Sequence, residues 1–120
     1  MAKPINEDIS VVRGDDDDKF VDFSVDVSEL DEVWFTVREE WRTESDASDG
    51  AVVFQAKMST GGMQAGSTSK QLRLPLPSAQ TTTWWFSQYV YDVQVSAGGK
   101  ITTTQRGILR VEPDVTASLA

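Results

Sequence analysis

Residues 19–27, KFVDFSVDV, and residues 33–38, VWFTVR, decide the fold, because apolar and polar side chains alternate through both. Successive side chains of an extended chain point to opposite faces. Val21, Phe23, Val25 and Val27 therefore line one side of the first stretch, and Asp22, Ser24 and Asp26 line the other. Val33, Phe35 and Val37 stand against Trp34, Thr36 and Arg38 in the same way. Both stretches read as half-buried β-strands, joined by Ser28 to Glu32, which is polar apart from Leu30.

The same period recurs outward from this pair. Val52, Phe54, Ala56 and Met58 mark a third strand over Ala51 to Met58, with Val53 interrupting its polar side. Leu72, Leu74 and Leu76 alternate with Arg73 and Pro75; proline has no N–H for a ladder, which places this strand at a sheet edge or at its own end. From Trp85 to Val95 the inward side is Tyr89, Tyr91, Val93 and Val95. Ala97, Gly98 and Gly99 then reverse the chain, and Ile101 to Val111 returns as the second arm of a long hairpin. Glu44 to Gly50 and Ser59 to Ser69 read as loops, Ser78 to Thr83 as a turn or a single helical turn, and Pro113 ends the pattern. Short strands without an amphipathic helix predict an all-β antiparallel sandwich of about seven strands, with a small closed barrel as the competing architecture. The predicted divisions are an N-terminal arm over 1–8, the sandwich over 9–116 and a tail over 117–120. The expected core is Val21, Phe23, Val25, Phe35, Val37, Tyr91, Val93, Leu109 and Val111.

Composition narrows the chemistry. A chain of 120 residues supports one core. Its 11 basic and 19 acidic residues give a formal charge of −8, a field that repels nucleic acid and anionic lipid, so neither is an expected partner. Met1 to Ser10 lacks the apolar centre of a signal peptide, and no run of about 18 apolar residues occurs, so neither an export signal nor a membrane span is expected. With no cysteine and no histidine, disulfides, Cys/His zinc sites, thiol nucleophiles and imidazole-based triads are all excluded. Paired carboxylates remain, and Glu39, Glu40 and Glu44 lie close in sequence, but no Gly-rich phosphate loop or Ser–Lys pair accompanies them. Neither an enzyme nor a cofactor is expected.

Two acidic stretches invite a metal reading. Asp15 to Asp18 is a run of four, yet side chains of an extended chain diverge alternately, so a solvated turn is expected there. Counted from Glu44 as a calcium loop, with Asp46 following, the sixth position is Asp49, one before Gly50, and the twelfth is Gln55 instead of glutamate. No metal site is expected.

The candidate binding residues are tryptophans. Trp84 and Trp85 are adjacent, so in a strand both cannot enter one core, and one of them is expected at the surface. A surface tryptophan either caps the open end of the sandwich or anchors a partner. Trp34 and Trp41 carry the same alternatives and would extend the same patch. A row of coplanar rings would also suit sugar stacking.

Four strings in fixed order carry a resemblance: Val12-Arg13-Gly14-Asp15; Val33 to Arg38; Tyr89-Val90-Tyr91-Asp92-Val93-Gln94-Val95; and Arg106-Gly107-Ile108-Leu109-Arg110-Val111-Glu112-Pro113-Asp114-Val115-Thr116. Together, over roughly Ile9 to Thr116, they resemble the small immunoglobulin-like β-sandwich domains of tailed-bacteriophage virions and are similar to the N-terminal domain of baseplate upper proteins. The resemblance implies an immunoglobulin-like sandwich and a non-enzymatic structural role as a docking module of tail or baseplate. It further implies a chain present in many copies or as a homo-oligomer, partnered by other virion proteins, and located in a virion assembled in the host cytoplasm. A capsid decoration protein on the head exterior and a carbohydrate-binding module are the alternatives. The chain departs from the family at Thr81 to Trp85, where tryptophans replace turn residues.

Overall fold

The computed structural model describes residues 5–39 and 52–113. Among the described residues nine strands follow in order: β1 (Ile5–Asn6), β2 (Ile9–Val12), β3 (Asp17–Asp22), β4 (Glu32–Arg38), β5 (Val52–Lys57), β6 (Gln64–Ala65), β7 (Gln71–Leu76), β8 (Gln88–Ala97) and β9 (Lys100–Glu112). A 3₁₀ turn covers Val27–Glu29, and the single helical turn α1 covers Ser78–Thr81. One sheet has the order β1–β9–β8–β4–β5, with β2 also on β9; the other has the order β3–β7–β6. Two separate sheets exclude the closed barrel. Placing β3, β7 and β6 on one layer and β5, β4, β8 and β9 on the other reproduces the variable-type immunoglobulin arrangement.

The inward faces follow the alternation of the sequence. Val33, Phe35 and Val37 of β4, Tyr91 and Val93 of β8, and Leu109 and Val111 of β9 are buried against Val21 of β3 and Leu72, Leu74 and Leu76 of β7. Each of the larger side chains contributes about 1.5–3 kcal/mol by leaving water. At the centre the Phe35 and Tyr91 rings stack, 5.3 Å between centroids and 19° apart in plane. The Tyr91 hydroxyl accepts from Gln105 Nε2 at 2.9 Å and donates to the Glu7 carbonyl at 2.5 Å. Burial pushes the Tyr91 pKa up; the Gln105 hydrogen bond opposes this, and the Glu7 and Asp8 charges add to it. Tyr89, two residues earlier at the start of β8, accepts from the Phe86 amide at 3.1 Å. That is the tyrosine corner of immunoglobulin-like sandwiches, and it puts Tyr91 where antibody domains carry their second cysteine.

Several expectations change. Beside the predicted strands, the described residues hold three short ones, β1, β2 and β6, of two, four and two residues, too few to display a period. β1 and β2 pair with β9 in parallel, so the first sheet is not wholly antiparallel, and Ile5 and Asn6 of the expected arm belong to it. The first long strand ends at Asp22, opposite Gln71, where β7 begins, although the Phe23 and Val27 amides still donate to the Lys70 and Ser69 carbonyls. The chain then bends into the 3₁₀ turn, leaving Val25 exposed at 38% and Phe23 partly buried, not in the core as expected. Within the expected loop 59–69, Met63 is a buried core residue beside β6. Pro75 fits its predicted edge role, since β6 covers β7 only at Leu72 and Arg73. The β8–β9 reversal is a two-residue turn with φ of +58° at Gly98 and +82° at Gly99, the type I′ geometry that glycine adopts without strain.

The N-terminal segment docks by close backbone approach. Glu7 donates its amide to the Arg106 carbonyl at 2.9 Å, and a Cβ at Gly107 would lie 2.0 Å from the Glu7 carbonyl oxygen. Gly107→Ala should therefore detach residues 5–8 from β9, seen as faster amide exchange at Glu7 with Val93 still protected; unchanged protection at Glu7 would contradict this. Phe35→Ala should cost about 3–5 kcal/mol in equilibrium unfolding.

Candidate functional site

The best-defined candidate site forms where β2 and β7 end and β8 begins. Pro77 cannot extend the β7 ladder, and α1 follows at once, with the Ser78 amide held by the Asp16 carboxylate at 2.6 Å. Thr81, fully buried, fixes this corner to the β2–β3 turn: its hydroxyl donates to the Asp15 carbonyl at 2.9 Å and accepts from the Gly14 amide at 3.1 Å. The Trp84 amide then donates to the Thr81 carbonyl at 3.2 Å, so the chain is still turning when it reaches the tryptophan pair. β8 starts only at Gln88, three residues later than the predicted start at Trp85.

That turn divides the pair. Trp84 is 1% exposed, packed edge-on against Phe54 at 5.9 Å and tilted against Tyr89 at 6.2 Å, closing this end of the core. Its Nε1 finds no acceptor among the described residues. Trp85 is 73% exposed and Phe86 is 53% exposed. One inward and one outward tryptophan were expected, but a turn after α1 separates them, not strand alternation.

The two exposed rings are held from beneath. Arg13, at the end of β2, donates from Nε to the Trp84 carbonyl and from a terminal guanidinium nitrogen to the Trp85 carbonyl, both at 2.9 Å. Its guanidinium carbon sits 5.1 Å from the centre of the Trp85 ring, within cation–π range. Phe86 stacks on Tyr89 with centroids 5.6 Å apart. The corner thus presents a fixed aromatic ledge beside a cation. Ordering the rings before contact reduces the entropy lost on binding. Arg13 stands in the sequence just before a glycine at a strand end, yet only the fold brings it across more than 70 residues to the tryptophans.

The other candidates do not join this ledge. Trp34 is half-buried on the outer face of the first sheet, opposite Gln94 and Lys57, four residues along β4 from the Arg38 end where Trp85 lies. Trp41, Glu40 and the acidic stretch Glu44 to Gly50 fall outside the described residues; Glu39 is exposed. The run Asp15 to Asp18 is not one solvated turn, since its last two residues begin β3. Asp16 holds the Ser78 amide, Asp17 pairs with Lys19 at 3.0 Å, and Asp18 pairs with Arg73 at 3.3 Å. Each of these three carboxylates thus has its own partner.

A second concavity, of about 270 Å³, opens on the outer face of the first sheet between Thr36, Gln55, Asp92, Gln94 and Arg106. Burial pushes the Asp92 carboxyl up, opposed by the charge of Arg38. No feature of the sequence singled out Asp92, because an acid at an outward strand position is the ordinary case.

No family model and no curated protein matches the chain. Among solved structures it is similar to CopC from Methylosinus trichosporium OB3b, at 15% identity over 91% of this chain and 85% of that one, with a TM-score of 0.51. The extracellular domain of the voltage-gated sodium channel beta4 subunit, described as a parallel homodimer with a role in cell-cell adhesion, aligns at 12% identity over 96% and 98% of the two chains, with a TM-score of 0.43. At this identity the likeness to CopC shows a shared β-sandwich fold and nothing more.

The two neighbouring tryptophans should part company in thermal unfolding. Trp84→Ala should destabilise by about 3–5 kcal/mol, whereas Trp85→Ala should cost about 1 kcal/mol or less.

Proposed function

We propose that this chain is a non-enzymatic structural protein of a tailed-phage virion, a docking module of the tail or baseplate that binds a neighbouring virion protein through Trp85 and Phe86. The observation that carries the reading is a tryptophan 73% exposed to water yet fixed by Arg13 from below. An exposed aromatic of this size costs solubility, and tryptophan and arginine are the residues that most often anchor protein interfaces. The phage assignment rests on the four ordered strings and on the sandwich they imply. Other virion proteins are then the partners, and the virion, assembled in the host cytoplasm, is the location.

Sugar stacking has less support. It needs several rings on one plane, but among the described residues Trp34 lies on the outer face of the first sheet, Phe20 on β3 of the second, and Trp85 at the end of the sandwich.

Purified chain mixed with tail and head substructures from the same phage should co-sediment with tails. Trp85→Ala should weaken that binding by about 30-fold, the loss of a hot spot of about 2 kcal/mol. Co-sedimentation with heads alone would move the protein to capsid decoration; equal binding by wild type and Trp85→Ala would remove the ledge from the interface.

A further inference from the structure

The outer face of the first sheet is a second interface, separate from the aromatic ledge, and we infer that its occupant is another copy of this chain. Three consecutive rows cross β8 and β9 on this face: Val90 opposite Ile108, Asp92 opposite Arg106, and Gln94 opposite Thr103. Each row pairs side chains that complement each other. A two-fold axis lying in the interface, parallel to the strands and between β8 and β9, sets β8 of one copy over β9 of the next. Under that operation Asp92 meets the other copy's Arg106, Val90 meets Ile108 and Gln94 meets Thr103, each contact made twice, as an isologous interface requires.

Charge favours this face. The chain carries −8, so most surfaces of two copies repel. On the outward side of β8 and β9, by contrast, Asp92 and Glu112 are balanced by Arg106 and Arg110. Arg106 is exposed and bound only loosely within the chain, its Nε donating to Asn6 at 3.4 Å. Asp92 accepts no hydrogen bond from the described residues although it is half out of water, in the concavity a partner's guanidinium would fill. Ile108 adds an apolar step beside the charged one, while Val90 opposite it is only 7% exposed and adds little surface.

β8 has 10 residues and β9 has 13, flanked by β4 with 7 and β2 with 4. At about 3.3 Å per residue and about 4.8 Å between strands, the four strands superposed by this operation overlap over about 450 Å². That is below the roughly 800 Å² per partner of standard interfaces, so the pairing depends on the Asp92–Arg106 contacts.

Sedimentation equilibrium tests the pairing. Wild type should sediment at twice the 13.3 kDa chain mass. Asp92→Arg and, at the exposed position, Arg106→Glu should each weaken dimerisation by about 30-fold or more. The double variant Asp92→Arg with Arg106→Glu should recover the dimer, with thermal unfolding confirming that every variant is folded. A wild type that stays at single-chain mass, folded single variants that dimerise like wild type, or a folded double variant that stays monomeric would each overturn the inference. Trp85→Ala should leave the dimer intact, so failure here and failure of the docking reading are separate results.

Discussion

Phe35 and Tyr91 stack on neighbouring strands of one sheet, and their burial in one core with Val21, Leu72, Leu74 and Leu76 of the other sheet joins the two layers in a chain with no cysteine. An antibody-type domain gains about 2–4 kcal/mol from the disulfide that crosses its core. Here burial of the rings against the second sheet takes that place, and the stack within the first sheet adds about 0.5–1.5 kcal/mol. The Tyr91 hydroxyl extends the effect, because its bonds to Gln105 and Glu7 tie β8, β9 and the N-terminal segment into one unit. A phenol in this position supplies both a core ring and a polar anchor, whereas a cystine supplies only the crosslink.

With the core closed by Trp84, the second tryptophan has no interior to enter. Thr81 and Arg13 settle its direction: one pins the turn to the β2–β3 corner, and the other holds the carbonyls of both tryptophans. The outcome is a surface divided by chemistry. An aromatic ledge with one cation occupies one end, a charge-balanced sheet face lies along the side, and acidic side chains paired locally cover the edge at β3. On the proposed reading, the sheet face joins copies of the chain and the ledge joins a different protein.

Much of this was legible in the residues. The inward sets of β4, β7, β8 and β9 follow alternation because those strands are long enough for a period of two to repeat and are covered on one side only. The glycine pair at 98–99 announced its turn through conformational freedom. What escaped was short or non-local. Two-residue strands have no period, the parallel docking of β1 depends on Gly107 being bare 100 residues away, and Met63 reads as part of a polar loop until the fold carries it into the core. Val25 misled because alternation persists past Asp22 while the partner strand does not. At the site, the split of Trp84 from Trp85 was readable from adjacency, but the role of Arg13 and the isolation of Trp34 depend on how distant strands are arranged.

An image of the intact particle at a resolution that traces side chains tests the central claim most directly. The account predicts a domain of this shape in the tail or baseplate, with the Trp85 indole and the Phe86 ring covered by a neighbouring protein and Arg13 still beneath them. A particle in which the domain is present with Trp85 facing open solvent, or from which the chain is missing, would contradict it.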